Sequence, residues 1–124
     1  TKISGLAHIM LPDSTQIKNN SVIAKFADTG IKKLYDDMIK AGANRTRIVA
    51  KIAGGARMFA LKNAATSSIN IGDRNVEASK AMLKQLRIPL LAEDTGLNYG
   101  RTVILDSNTG DYIIRSVGKD TKTI

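Results

Sequence analysis

Cysteine and tryptophan are absent from these 124 residues, and histidine occurs once. Without a thiol the chain forms no disulfide, no zinc–thiolate site and no cysteine nucleophile of its own. One imidazole leaves too few ligands for a metal site, and no metal is expected. Aromatic residues make up only 4% of the chain, so a platform for stacking nucleobases has little material. No apolar run approaches the ~20 residues that a membrane-spanning helix needs, and no basic start followed by an apolar stretch resembles a secretory signal. Membrane insertion is therefore not expected, and the cytoplasm is the expected location. Neither a GxxxxGK[ST] nor a GxGxxG pattern is present, and no cofactor is expected.

What is present describes a folded, basic protein. Hydrophobic residues make up 43% and charged ones 24%, ordinary for a globular chain. The length fits one domain over residues 1–124 with a core of its own. Nineteen basic residues against eleven acidic give a formal charge of +8, which favours encounter with anionic partners in a salt-dependent way.

The lone His8 lies in Ile3-Ser4-Gly5-Leu6-Ala7-His8-Ile9-Met10-Leu11-Pro12, a strand-like run. Alternation puts Leu6, His8 and Met10 on one face and Gly5, Ala7, Ile9 and Leu11 on the other. His8 is thus expected among apolar neighbours, either as a hydrogen-bonded core histidine or as a proton acceptor, a role imidazoles fill because they ordinarily titrate near neutrality. Thr1 in first place is compatible with removal of an initiator methionine or of a longer leader.

Pro12 ends the strand, and Asp13 to Ser21 reads as a loop. A helix is expected from about Val22 or Ala24 to Ala41. Phe26, Ile31, Leu34, Tyr35 and Met38 form its apolar face, Lys32 with Asp36 and Lys33 with Asp37 its solvated one, and Gly42 closes it. Thr46 to Ala53 reads as a second strand, interrupted by Gly54-Gly55, which marks a sharp turn or the close wall of a pocket. Arg57 to Leu61 continues apolar and Asn63 to Ser68 reads as a loop. Asp73 is expected to cap a helix running to about Leu86, with Arg74 and Asn75 in an opening turn suited to an anion or carbonyl contact. Ile88 to Ala92 reads as a buried strand and Glu93 to Arg101 as a loop, in which Glu93 and Asp94 alternate to opposite sides and form no acid–base pair. Thr102 to Leu105 and Asp111 to Val117 form a hairpin across Ser107 to Gly110. Lys119 to Ile124 is a basic, loosely held tail. This order implies an α/β fold of mixed sheet or sheets layered with helices.

Four blocks, taken together, resemble the chemoreceptor glutamine deamidase family, CheD. They are Gly5 to Pro12, Lys51 to Phe59, Ile71 to Val76 and Ala92 to Arg101, in the family's order and spanning nearly the whole chain. The resemblance implies a layered α/β sandwich similar to the catalytic domain of deamidating bacterial toxins. It implies a chemotaxis protein acting on selected glutamines of methyl-accepting chemoreceptors, and binding to the chemotaxis phosphatase CheC. In the chemistry it implies, a cysteine thiolate attacks the glutamine carboxamide, a histidine carries the proton to departing ammonia, backbone amides hold the oxyanion, and water hydrolyses the thioester. His8 matches that histidine.

The cysteine, and the threonine that supports the histidine, lie upstream of the histidine strand in the family, and neither has a counterpart here. Ser4 is no substitute, lying about 13 Å from His8 along an extended chain. The chain alone is expected to be catalytically silent. Two accounts follow: an N-terminally truncated deamidase whose nucleophile lies in a leader outside these residues, or a short form retained as a regulatory partner of CheC. A small basic nucleic-acid-binding module is the third possibility and rests on charge alone.

Overall fold

The computed structural model describes residues 2–12, 25–57 and 71–124. The expected loops at Asp13 to Ser21 and Asn63 to Ser68, and the apolar run from Met58 to Leu61, lie outside the described residues.

Helix α1 spans Ala27–Lys40. Residues 22–24 lie outside the description, but Phe26 is extended (φ −101°, ψ 141°) rather than helical, so the helix begins later than its periodicity suggests. Phe26 is held that way by a parallel bridge to Leu11. Its end follows expectation, with Gly42 at φ +110° donating its amide to the Ile39 carbonyl at 3.0 Å. The two i,i+4 ion pairs form, Lys32–Asp36 at 2.7 Å and Lys33–Asp37 at 2.9 Å. Both are half-exposed and contribute little.

The expected second strand is shorter than its pattern. Asn44 accepts from the Thr46 amide at 2.9 Å and caps a 3-10 turn over Arg45–Arg47, a local side-chain bond that competes with strand geometry. Strand β1 therefore covers only Ala50–Gly54. Helix α2, Ile71–Gln85, crosses to strand β2, Leu90–Thr95, which pairs with β1 in parallel from Ala50 opposite Leu90 to Gly54 opposite Thr95. Parallel neighbours need such a crossover. Asp73 lies inside the first turn of α2 rather than capping it, and its carboxylate pairs with Arg57. Strand β2 also absorbs Glu93 and Asp94, which the sequence places in a loop.

Strands β3 (Thr102–Leu105), β4 (Tyr112–Arg115) and β5 (Lys122–Thr123) form an antiparallel sheet in the order β3-β4-β5. The expected hairpin is present, with Leu105 opposite Tyr112. The C-terminal residues do not form a loose tail. Ile113 pairs with Thr123, Ile124 exchanges backbone bonds with Tyr112 at 2.9 and 3.2 Å, and Lys51 Nζ reaches the Ile124 carbonyl at 2.7 Å.

Among the described residues the fold is thus mixed α/β, two helices packed on each other with a parallel pair and an antiparallel sheet of three. Phe26, Ala27, Leu83, Ile88, Tyr112 and Ile114 are buried. Each large apolar side chain among them contributes about 1.5–3 kcal/mol by leaving water.

Candidate active site

The exposure of residues 3–10 alternates as the sequence predicts: Ser4, Leu6, His8 and Met10 are exposed, Ile3, Gly5, Ala7 and Ile9 half-buried. The face that packs is the small one. At Gly5 a Cβ would lie 2.4 Å from Leu34 Cδ1 of α1, so the segment packs closely on the helix there and a larger residue would require Leu34 to shift. That packing turns His8 outward. The expectation of a histidine buried among apolar neighbours is corrected here: its companions Leu6 and Met10 are apolar but 55% and 58% exposed.

The segment is no ladder strand either. Among the described residues, no backbone hydrogen bond involves residues 2–9. Its anchor is at the end beyond His8, where the Met10 and Leu11 amides donate to the Lys25 carbonyl at 2.8 and 3.0 Å and the Ala27 amide donates to the Leu11 carbonyl at 2.9 Å. Asn75, in the second turn of α2, adds a side-chain bond from Nδ2 to the Met10 carbonyl at 3.2 Å. This bond is made by a side-chain amide, not by the unpaired backbone N–H groups from which a contact at the helix start was expected.

His8 lines a cavity of about 750 Å³, whose other walls include Leu34 and Met38 of α1, Ile52 of β1 and Asn75 and Val76 of α2. The Gly54-Gly55 turn forms part of its wall. Gly54 and Gly55 have φ of +113° and +68°, a region costly for other residues. A Cβ on Gly72 would lie 2.6 Å from the Gly55 carbonyl oxygen. The turn and the start of α2 therefore meet backbone to backbone.

A charge cluster braces this turn from behind. Arg101, its side chain 1% exposed, lies 3.3 Å from the 7% exposed Asp94 carboxylate, and Lys122 reaches the same oxygen at 3.2 Å. Arg101 also donates to the carbonyls of Gly96 at 3.2 Å, Tyr99 at 3.3 Å and Gly54 at 3.4 Å. Burial pushes the Asp94 carboxyl up, but Arg101 and Lys122 outweigh it and hold it below the usual carboxylate range. Glu93 points the other way, pairing with Lys80 at 2.8 Å. The alternation expected of these two acids is observed.

Chemically, the site offers one exposed imidazole and no nucleophile beside it. Ser4 is engaged with the Ser107 hydroxyl. No carboxylate lines the cavity among the described residues, which leaves His8 without the acidic partner of a serine-type triad. No group of three metal-ligating side chains occurs among them either. Sequence reasoning singled out His8 and the glycine pair but not Arg101, whose signal was the polar, glycine-bearing stretch after Asp94.

A family model described as CheD chemotactic sensory transduction matches residues 10–116. The chain belongs to the CheD family. Among its relatives, a protein of Lachnoclostridium phytofermentans named "Probable chemoreceptor glutamine deamidase CheD" is 55% identical over 123 residues, covering 99% of this chain and 76% of that protein. Proteins of the same name from Moorella thermoacetica and Caldanaerobacter subterraneus subsp. tengcongensis are 52% and 50% identical over 123 residues, covering 99% of this chain and 74% and 75% of theirs. The family model starts after His8, but these matches take in its segment. These 124 residues contain no cysteine, so they place no thiol beside His8.

Proposed function

We propose that this chain is the histidine-bearing part of a chemoreceptor glutamine deamidase, with His8 as the proton carrier and the thiol supplied by polypeptide outside these residues. The observation that carries the reading is that His8 is exposed and lines a cavity of about 750 Å³. A sealed, core-packed imidazole would contradict it. The relatives extend beyond the stretch they share with this chain.

In this reading His8 takes the proton of the thiol, and the thiolate sulfur bonds to the carboxamide carbon of a receptor glutamine. The tetrahedral adduct collapses with cleavage of the C–N bond, and the imidazolium returns its proton to the leaving nitrogen, which departs as ammonia. Water, deprotonated by the same imidazole, then attacks the thioester. The thiol is restored and the glutamine has become glutamate. Every turnover adds one negative charge to the receptor, and a carrier with formal charge +8 is drawn to such acidic helices.

The two sheets and two helices also support the finer fold, a layered sandwich like that of deamidating toxins. No helix among the described residues is long and apolar enough to cross a membrane, compatible with action on the cytoplasmic part of receptors. Absence of cysteine also favours a second reading, a non-catalytic partner of the phosphatase CheC. Binding of this 124-residue chain to CheC by calorimetry tests it, and no heat at micromolar concentrations would end it.

The first reading is tested by His8→Ala in a form that carries the thiol-bearing segment, with ammonia release from receptor fragments as the assay. Loss of release with folding intact is expected. Unchanged release removes His8 from the mechanism.

A further inference from the structure

We infer that Asn75 is the positioning residue for His8, a role that rests on the deamidase reading for its purpose but not for its geometry. His8 itself makes no hydrogen bond among the described residues, and residues 2–9 make none through their backbone. Where the imidazole stands is set on one side by Gly5 lying on Leu34 and Met38, and on the other by Met10. The Met10 peptide is gripped from two directions: its amide by the Lys25 carbonyl at 2.8 Å, its carbonyl by Asn75 Nδ2 at 3.2 Å.

Asn75 is well placed to act as a fixed post. It stands on α2 three residues after Gly72, whose backbone abuts Gly55 too closely for any side chain. It is two residues after Asp73, which is paired with Arg57. It lines the same cavity as His8. Its Oδ1 atom is buried and has no hydrogen-bond partner among the described residues, a cost that a purely structural position would relieve with an apolar residue of similar size. Retaining a carboxamide there is explained by the other half of the group, the N–H that holds the histidine segment to α2. Asn75 touches no reacting atom in this arrangement; it acts through the Met10 carbonyl.

The test uses the fact that His8 is the only histidine, so its ring signals are read without assignment in the 124-residue chain. Asn75→Asp keeps the shape and removes the donor; Asn75→Ala removes both; Asn75→Gln restores a carboxamide. The Asp and Ala variants are expected to mobilise the His8 ring in NMR relaxation and to speed exchange of the Met10 amide about fivefold or more, with partial return in the Gln variant. Leu86→Ala, a destabilising change beyond the far end of α2, is expected to do neither. An unmoved His8 ring in the Asp and Ala variants overturns the proposal, as does equal mobilisation in Leu86→Ala. If the Ala variant does not fold, the near-isosteric Asp variant decides alone. In a thiol-bearing form, Asn75→Asp is expected to lower kcat by about tenfold or more with KM within about twofold. A loss confined to KM contradicts the positioning role. If His8→Ala leaves deamidation intact, the deamidase reading fails while the NMR result still decides whether Asn75 holds the segment.

Discussion

The histidine segment and Arg101 line the same cavity yet are held by opposite means. Arg101 is buried, paired with Asp94 and bonded to three carbonyls, tying β2, the Gly54 turn and the loop before β3 into one unit. Residues 2–9 have no backbone hydrogen bond among the described residues, and Lys2, Ser4, Leu6 and His8 are exposed. The difference separates scaffold from chemistry. Buried charge braces the wall, while His8, the proton carrier of the proposed function, is exposed on a segment anchored at Met10 and Leu11.

The comparison is broken most severely by removing the guanidinium. Arg101→Ala strands Asp94 as a buried, half-compensated carboxylate, and such a loss costs about 3–5 kcal/mol; urea unfolding checks it, and a change below 1 kcal/mol would mean that Lys122 alone suffices. Gly72→Ala comes next. Its Cβ would meet backbone at 2.6, 2.7 and 2.8 Å, where nothing flexible can yield, and about 1–3 kcal/mol of destabilisation is expected in the same assay. Gly5→Ala meets the end of a leucine side chain instead and is expected to cost less, shifting the histidine segment rather than the fold.

Acid provides a reversible version of the first test. Because the folded Asp94 pKa lies below its unfolded value, the stability it contributes is complete above about pH 4 and is lost as pH falls through the lower, folded value. Asp94→Asn is expected to flatten the stability profile in that acidic window, measured by thermal melts across pH. The smallest effect on stability belongs to His8→Ala, expected within about 0.5 kcal/mol because the side chain is exposed. A larger loss would show that the segment is more integral to the fold than its bonding suggests.

Local pattern made much of this legible. Alternation sorted residues 3–11 onto the correct faces and separated Glu93 from Asp94, period and Gly42 fixed the end of α1, and turn chemistry located the β3–β4 hairpin. What local pattern does not carry is which face turns inward. That was decided by Gly5 fitting against Leu34, a contact across 29 positions of sequence that sent His8 outward. Likewise, Lys119 to Ile124 reads as a tail because its basic residues look solvated, yet Lys122 finds a partner in Asp94 and Thr123 in Ile113. The Asn44 cap shortened β1 through two local bonds, from the Thr46 amide and hydroxyl, that a strand pattern does not show. For the site, His8 was visible as the sole imidazole, whereas Asn75 needed the fold to bring α2 beneath Met10.

The two-residue rhythm of the histidine segment carries a consequence for its tolerance of insertions. Between Gly5 and Met10, loss or gain of a single residue would exchange the two faces, sending the imidazole toward α1 and lifting an alanine or isoleucine to the rim. Length in this stretch is thus constrained to even steps, a stricter demand than the identity of most side chains in it.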